Sequence, residues 1–130
     1  MVEKIPEELF NQKLDEILSE KDIRFAGFVG LDGNLLKGRF REDVIPFEND
    51  EEQQQVFREL ASRISTRKKF DYSMGPVKYS ASRREKLVMM SFPLKNMIIL
   101  ITAEPNVNID RLAYKIIQIL GEGWDSFYGE

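Results

Sequence analysis

The stretch that decides the fold is IRFAGFVGLDGNLLKGRFR, residues 23–41. Both faces of its first half are apolar, which is typical of a strand covered on two sides. Asp32-Gly33 then supplies the dipeptide of a tight hairpin turn, because Gly tolerates positive φ. The sequence therefore predicts antiparallel strands over 23–30 and 35–41. In the first strand one predicted face carries Ile23, Phe25 and Val29, and the other carries Ala26 and Phe28.

The remaining strands differ in how polar they are. The return strand 35–41 carries Lys37, Arg39 and Arg41, and such charge favours an edge of the sheet. Residues 97–103, MIILITA, are apolar almost throughout and are predicted at the centre. A third strand, 76–82, opens with a proline, which suits an edge or a first strand position. Residues 87–94 complete a set of five.

Three amphipathic helices separate or flank these strands. The first follows Pro6, the second covers 50–70 after an Asn49/Glu52 capping box and is followed by a break over 71–75, and the third covers 109–120. The order is α-β-β-α-β-β-β-α. It predicts an α+β fold with one five-stranded antiparallel sheet and helices on both faces.

Composition narrows the function classes. The chain has 130 residues, and we expect one domain over 1–130, with a core over 6–121 and an aromatic tail over 122–130. It has no Cys and no His, which removes thiol and imidazole chemistry. We therefore expect no enzyme, no cofactor and no metal. The net charge of −3 argues against a dedicated nucleic-acid binder. No apolar run is long enough to span a membrane, so we expect a cytoplasmic protein.

The hairpin, the helix from Asp50 and the strand 97–103 with its following helix resemble the roadblock/dynein light chain family, which has a profilin-like fold. The chain is also similar to small uncharacterised archaeal proteins of this plan. The resemblance implies the strand order 2-1-5-4-3. It also implies a homodimer that pairs third strands edge to edge with second helices side by side. Relatives act as scaffolds or as regulators of small GTPases, so a signalling role is expected.

By this resemblance, two segments are candidates for the dimer interface. The alternative for the stripe on the second helix is that it packs on its own sheet, and periodicity alone leaves both open. The candidates are Val77, Lys78, Tyr79, Ser80, Ala81 and Ser82 on the edge strand, and Phe57, Leu60 and Ile64 on the helix.

Basic residues form a second candidate surface, for an acidic partner, nucleic acid or an anionic membrane. The alternative is a solvated helix end and a charged turn, and no aromatic interleaving supports base stacking. The residues are Arg63, Arg67, Lys68, Lys69, Arg83, Arg84 and Lys86.

Other interpretations rest on fewer residues. A sensory domain of the PAS or GAF kind would hold a non-covalent small ligand between sheet and helix. Its pocket would be lined by Phe25, Phe28, Phe40, Phe47 and Met90. A carboxylate enzyme would have to use Glu104, whose expected role is to end a strand. The glycines at 27, 30 and 33 are predicted to serve strand packing and the turn rather than a nucleotide. Trp124, Phe127 and Tyr128 are expected to fold back over the core or to bind a partner.

Overall fold

A five-stranded antiparallel sheet dominates the computed structural model, which describes residues 7–121. The strands run in the order β2-β1-β5-β4-β3. This confirms the predicted strand order, with the apolar strand 97–103 in the middle. The strands are β1 (Ile23–Gly30), β2 (Leu35–Phe40), β3 (Ser80–Arg83), β4 (Val88–Pro93) and β5 (Met97–Ala103).

Helices cover both faces of this sheet, as predicted. Apolar side chains of α1 (Glu7–Leu18) and α4 (Ile109–Gly121) form one core with one face of the sheet, whereas α2 (Asp50–Arg67) forms a second, smaller core with the opposite face. Phe25 and Val29 point towards α2, and Ala26 and Phe28 towards α1 and α4. Ile23 joins the α1/α4 side, not the predicted one, because the register of β1 on β5 shifts between Ile23 and Phe25.

The segment after α2 differs from the sequence-based expectation. A break was expected at 71–75, but a 3₁₀ turn (Lys68–Phe70) and a short helix α3 (Asp71–Met74) continue the helical path. Gly75, with φ 82°, ends it. β3 consequently starts at Ser80, so the predicted edge strand 76–82 is wrong at its start, and Val77, Lys78 and Tyr79 precede the ladder.

Two glycines of the hairpin are explained by close packing. A Cβ on Gly38 would lie 2.9 Å from the Gly27 Cα, because β1 and β2 approach closely where the Phe25 ring crosses them. Gly33 has φ 89° in the turn and packs against Arg58 of α2. Gly27 and Gly33 therefore serve strand packing and the turn, as expected, and the turn at Gly33 leads into strand β2 rather than into a helix.

Candidate interaction surface

Helix α2 is positioned by its cap and by its buried stripe. The Asn49 side chain accepts from the Glu52 N–H at 2.8 Å, and the Glu52 carboxylate accepts from the Asn49 N–H, which completes the predicted capping box. Phe57 and Leu60 are each 1% exposed and pack with side chains of β1 and β5. Helix α2 therefore covers the β1–β5 half of its sheet face, and a groove separates it from β3 and β4.

This packing decides between the two roles left open for the helix stripe. Phe57, Leu60 and Ile64 lie in the core beneath α2, with Ile64 6% exposed. They pack on their own sheet, so a partner would contact other faces of the helix.

Strand β3 forms a free edge of the sheet. Ala81, Ser82 and Arg83 are exposed, and β4 is the one strand that pairs with β3 among residues 7–121. The Arg84 N–H donates to the Leu87 carbonyl at 2.8 Å, which makes 84 and 87 a hydrogen-bonded pair. Hydrogen-bonded pairs alternate with non-hydrogen-bonded pairs along an antiparallel ladder. Ser80 and Ser82 therefore form backbone hydrogen bonds with Ser91 and Met89 of β4. The amides of Ala81 and Arg83 therefore point away from β4, towards the free edge.

The other predicted edge residues have different surroundings. The Tyr79 hydroxyl donates to Asp110 Oδ1 at 3.0 Å, and its ring lies 5.9 Å from that of Phe92, on the α4 side of the sheet. The Asp110 carboxylate raises the pKa of Tyr79 because it stabilises the protonated phenol. Val77 lines a cavity near the end of α2, and Lys78 is exposed.

The groove between α2 and the β3–β4 pair has a polar part and an apolar part. The polar part, of about 300 Å³, is bounded by Arg63 and Arg67 of α2, with the hydroxyl-bearing residues Ser80, Ser82 and Ser91 on the sheet side. Arg67 Nη1 donates to Ser80 Oγ at 3.1 Å. Arg63 Nε lies 3.0 Å from Glu59 Oε2, yet it is buried and forms no hydrogen bond within residues 7–121.

The apolar part continues from the polar part past Arg67 and Ser80, which line both. It encloses about 420 Å³ between the end of α2 and the start of β3. Its lining residues are Ile64, Arg67, Lys68, Asp71, Pro76, Val77, Ser80, Pro93, Leu94 and Lys95.

The structure does not unite the predicted basic surface. Arg63, Arg67 and Lys68 line the groove, and Lys69 follows them in the chain. The turn between β3 and β4, with Arg84 and Lys86, lies at the other end of β3. Arg83 donates to the carbonyl oxygens of Pro105 and Val107 on the α4 side of the sheet.

The pocket expected for a sensory domain is not formed by the predicted residues. Phe25 faces α2, whereas Phe28 and Met90 belong to the core beneath α1 and α4. Phe47 is half exposed, with the Arg24 guanidinium 4.4 Å from its ring centre. The residues lie on opposite sides of the sheet because neighbouring strand positions alternate between faces.

Several of the described acids form ion pairs or lie in the first turn of a helix. Glu104 Oε2 lies 3.5 Å from Arg24 Nη1 and 3.4 Å from Arg41 Nη2, at the end of β5. Within residues 7–121 no three His, Cys, Asp or Glu side chains are grouped as metal ligands. No helix in that range is both long and apolar enough to cross a bilayer. The aromatic tail with Trp124, Phe127 and Tyr128 lies outside the described residues.

Two features of this surface escaped sequence analysis. Ser91 is 5% exposed at the base of the groove. The sequence feature that indicates it is a small polar residue on the face of β4 opposite Val88 and Met90. The segment after α2 exposes large apolar side chains, with Tyr72 and Met74 fully or mostly in solvent. The sequence analysis predicted a helix break at 71–75 and therefore did not predict this exposed apolar segment.

Comparison with known proteins agrees with this fold. The sequence model of a family of unknown function (DUF6659) matches residues 2–130. No curated protein is significantly similar to the chain. Among solved structures, the Roadblock/LC7 domain from Streptomyces avermitilis superposes with a TM-score of 0.67 at 7% identity, covering 89% of this chain and 95% of that one.

Two MglB structures are similar to the same extent. MglB from Myxococcus xanthus superposes with a TM-score of 0.71 at 8% identity, covering 96% of each chain. A structure described as MglB with tetrameric arrangement gives 0.67 at 14% identity, covering 94% of this chain and 95% of that one. At such identities the likeness shows the fold, and the fold is roadblock-like.

Proposed function

We propose that this chain, which belongs to the DUF6659 family of unknown function, is a non-enzymatic protein-interaction module that acts as one roadblock-like domain over residues 1–130. It forms a homodimer through the free edge of β3 and presents that dimer to a small GTPase or another signalling protein. The homodimer and the GTPase follow from the resemblance to roadblock proteins. A neighbouring MglB that was solved in a tetrameric arrangement supports self-association in this fold.

The observation that carries the proposal is the outward direction of two amides of β3. An edge strand with unpaired N–H and C=O groups is a template for another strand, and main-chain hydrogen bonds then provide affinity. The side chains along this edge are small at Ser80, Ala81 and Ser82, and the charged Arg83 donates to the carbonyl oxygens of Pro105 and Val107 on the α4 side. A second copy of the same strand, related by a two-fold axis, satisfies both edges at once.

Two further features support this interface. Helix α2 carries Asp50, Glu51 and Glu52 in its first turn and Arg67 in its last. Two such helices side by side and antiparallel bring acidic ends to basic ends, which favours that orientation. The exposed Tyr72 and Met74 lie just beyond the basic end, where a partner would remove apolar surface from water.

The test is Ala81→Pro, measured by sedimentation over a range of protein concentrations. Proline removes the outward amide, which the β3–β4 ladder does not use, so the chain is expected to fold and to sediment as a monomer. Ala81→Thr keeps the amide and is expected to stay dimeric. A wild-type monomer, or an Ala81→Pro protein as dimeric as wild type, rules out this interface.

The GTPase is tested separately from the dimer. Each small GTPase of the source genome is loaded with a fluorescent guanine nucleotide and titrated with the chain. The basic residues lie in two separate patches, one beside the groove and one in the β3–β4 turn, and we propose the turn patch as the docking surface, so Arg84→Glu is expected to weaken binding. Arg58→Glu, on α2 outside both sets, is the control. If no GTPase binds, or if Arg58→Glu weakens binding equally, this part of the proposal fails.

A further inference from the structure

We propose that the groove between α2 and strands β3 and β4 binds a small organic phosphate. The phosphate is held in the polar part by Arg63, Arg67 and the serine hydroxyls, and the ester's apolar group occupies the adjoining apolar part. This site shares helix α2 with the proposed homodimer, whose two α2 helices lie side by side, but its ligand is held by side chains on one face of the sheet. The edge interface uses backbone groups in the plane of the sheet.

The polar part concentrates donors that suit phosphate oxygens. Arg63 and Arg67 are one helical turn apart on α2, so their guanidinium groups lie on the same side of the helix. On the sheet side, Ser80 and Ser91 are directly paired across β3 and β4, and Ser82 is two residues further along the same face. Planar guanidinium forks and hydroxyls are the donors that proteins use for phosphate.

One donor in this set is incompletely used. Arg63 Nε is buried and forms no hydrogen bond to any group in residues 7–121. Arg63 Nε has Glu59 Oε2 as an ion-pair partner at 3.0 Å but lacks a hydrogen bond of good geometry, and an incoming oxygen acceptor would supply one. Glu59 lies beside it and offsets part of its charge, so a ligand must compete with this carboxylate.

The charge balance of the whole groove still favours an anion. Of the lining residues and the ion-pair partner of Arg63, four are cations and two are carboxylates. The cations are Arg63, Arg67, Lys68 and Lys95, and the carboxylates are Glu59 and Asp71. Since the chain as a whole carries −3, this excess is local and argues for a small anion rather than a polyanion.

The apolar part supplies room for the rest of the ligand. Ile64, Val77 and Leu94 are among its lining residues, with Pro76 and Pro93. At about 420 Å³ it accommodates an aromatic ring or a short aliphatic group. The two parts share Arg67 and Ser80, so one molecule can occupy both.

The experiment is a calorimetric titration of the full chain with phenyl phosphate, with inorganic phosphate and phenol as half-ligands. Phenyl phosphate is expected to bind at least about tenfold more tightly than inorganic phosphate, because the ring leaves water. Arg67→Gln is expected to lower the affinity for phenyl phosphate by about tenfold or more, because a charged hydrogen-bond donor is lost. Arg58→Gln removes the same charge from α2 outside the groove and is expected to change nothing.

A second variant separates the two parts of the site. Val77→Ser is expected to lower the affinity for phenyl phosphate by a few fold and to leave the affinity for inorganic phosphate unchanged, because only the phenyl ring contacts Val77. Thermal melts check that each variant folds, and sedimentation of the same samples records the assembly state. The proposal is overturned by absence of phenyl phosphate binding, by equal affinity for the two phosphates, or by equal losses in Arg58→Gln and Arg67→Gln.

Discussion

The two edge strands of this sheet, β2 and β3, differ in what surrounds their outward backbone groups. On β2, Lys37 Nζ donates to Glu7 Oε1 at 2.7 Å, and Arg39 pairs with Asp15, so two cations tie the strand to α1. Charged residues on an edge discourage a second strand, because pairing would strip water from them. The edge of β2 is therefore protected by its own sequence.

The edge of β3 has no equivalent protection. Its single charged residue, Arg83, donates to the carbonyl oxygens of Pro105 and Val107, and so points back onto its own chain. Ala81 and Ser82 are small and exposed. Both edges carry amides that face away from their neighbouring strand, and charged side chains tied to α1 flank the edge of β2 but not the Ser80–Ser82 part of β3.

The largest expected effect is on stability, and it compares a valine introduced at each of the two edge strands. Gly38→Val on β2 places a Cβ 2.9 Å from the Gly27 Cα, and backbone must move, so we expect a loss of about 2–3 kcal/mol in unfolding free energy. Ala81→Val on β3 enters solvent and is expected to change that free energy by less than about 0.5 kcal/mol. Chemical denaturation measures both. Equal losses would show that β3 is as tightly enclosed as β2.

A second prediction exchanges the protection between the edges. Ala81→Lys adds a charge at the centre of the β3 edge and is expected to raise the dimer dissociation constant by about tenfold or more, with an unchanged melting temperature at concentrations where both proteins are monomeric. Sedimentation over a concentration series measures this constant. A dimer as tight as wild type contradicts the role of side chains at this edge.

The reciprocal variant removes charge from β2. Lys37→Thr with Arg39→Thr leaves a strand that favours pairing, and we expect species larger than the dimer at high concentration. Light scattering of the same preparations detects them. The double variant Lys68→Thr with Lys69→Thr has the same charge change away from β2 and is expected to form no species larger than those of wild type.

The smallest effect is a difference in pH response on the acid side. A hydrogen bond from Lys37 and its charge hold the pKa of Glu7 below its usual range, and a hydrogen bond from Arg41 does the same for Asp43. Since the folded pKa is the lower one, this stabilisation is present above the unfolded pKa of about 4 and is lost as pH falls through the folded value. Amide hydrogen exchange in β2 is expected to accelerate as pH falls through that range, and Glu7→Gln is expected to reduce this pH dependence.

On the alkaline side the response moves to the start of β3. Tyr79 has a raised pKa because of Asp110, so its contribution is complete below the unfolded pKa of about 10 and is lost as pH rises through the folded value. Amides near Ser80 should exchange faster in that range, beyond the general effect of base. Tyr79→Phe is expected to remove this additional acceleration of amide exchange. An unchanged pH profile of exchange in that variant would exclude the Tyr79 phenol as its source.

Local patterns were sufficient wherever one neighbour or one face decided the outcome. β1 and β5 have the predicted bounds because their apolar runs end at a turn or a proline, and Gly33 occupies the turn that requires positive φ. The roadblock-like strand order was also predictable. Patterns failed at 71–79, where helical propensity continues to Met74 and only Gly75 ends it.

By itself, the sequence determined the hairpin, the central strand, the capped helix α2 and the absence of thiol and imidazole chemistry, since each depends on residue type or on spacing within one segment. Only the tertiary structure decided that the α2 stripe is buried, that the amide of Ala81 faces outward, and that Arg67 and Ser91 border one groove. These outcomes depend on strand register and on where α2 crosses the sheet. Both are set by contacts between residues far apart in the chain, which no local period encodes.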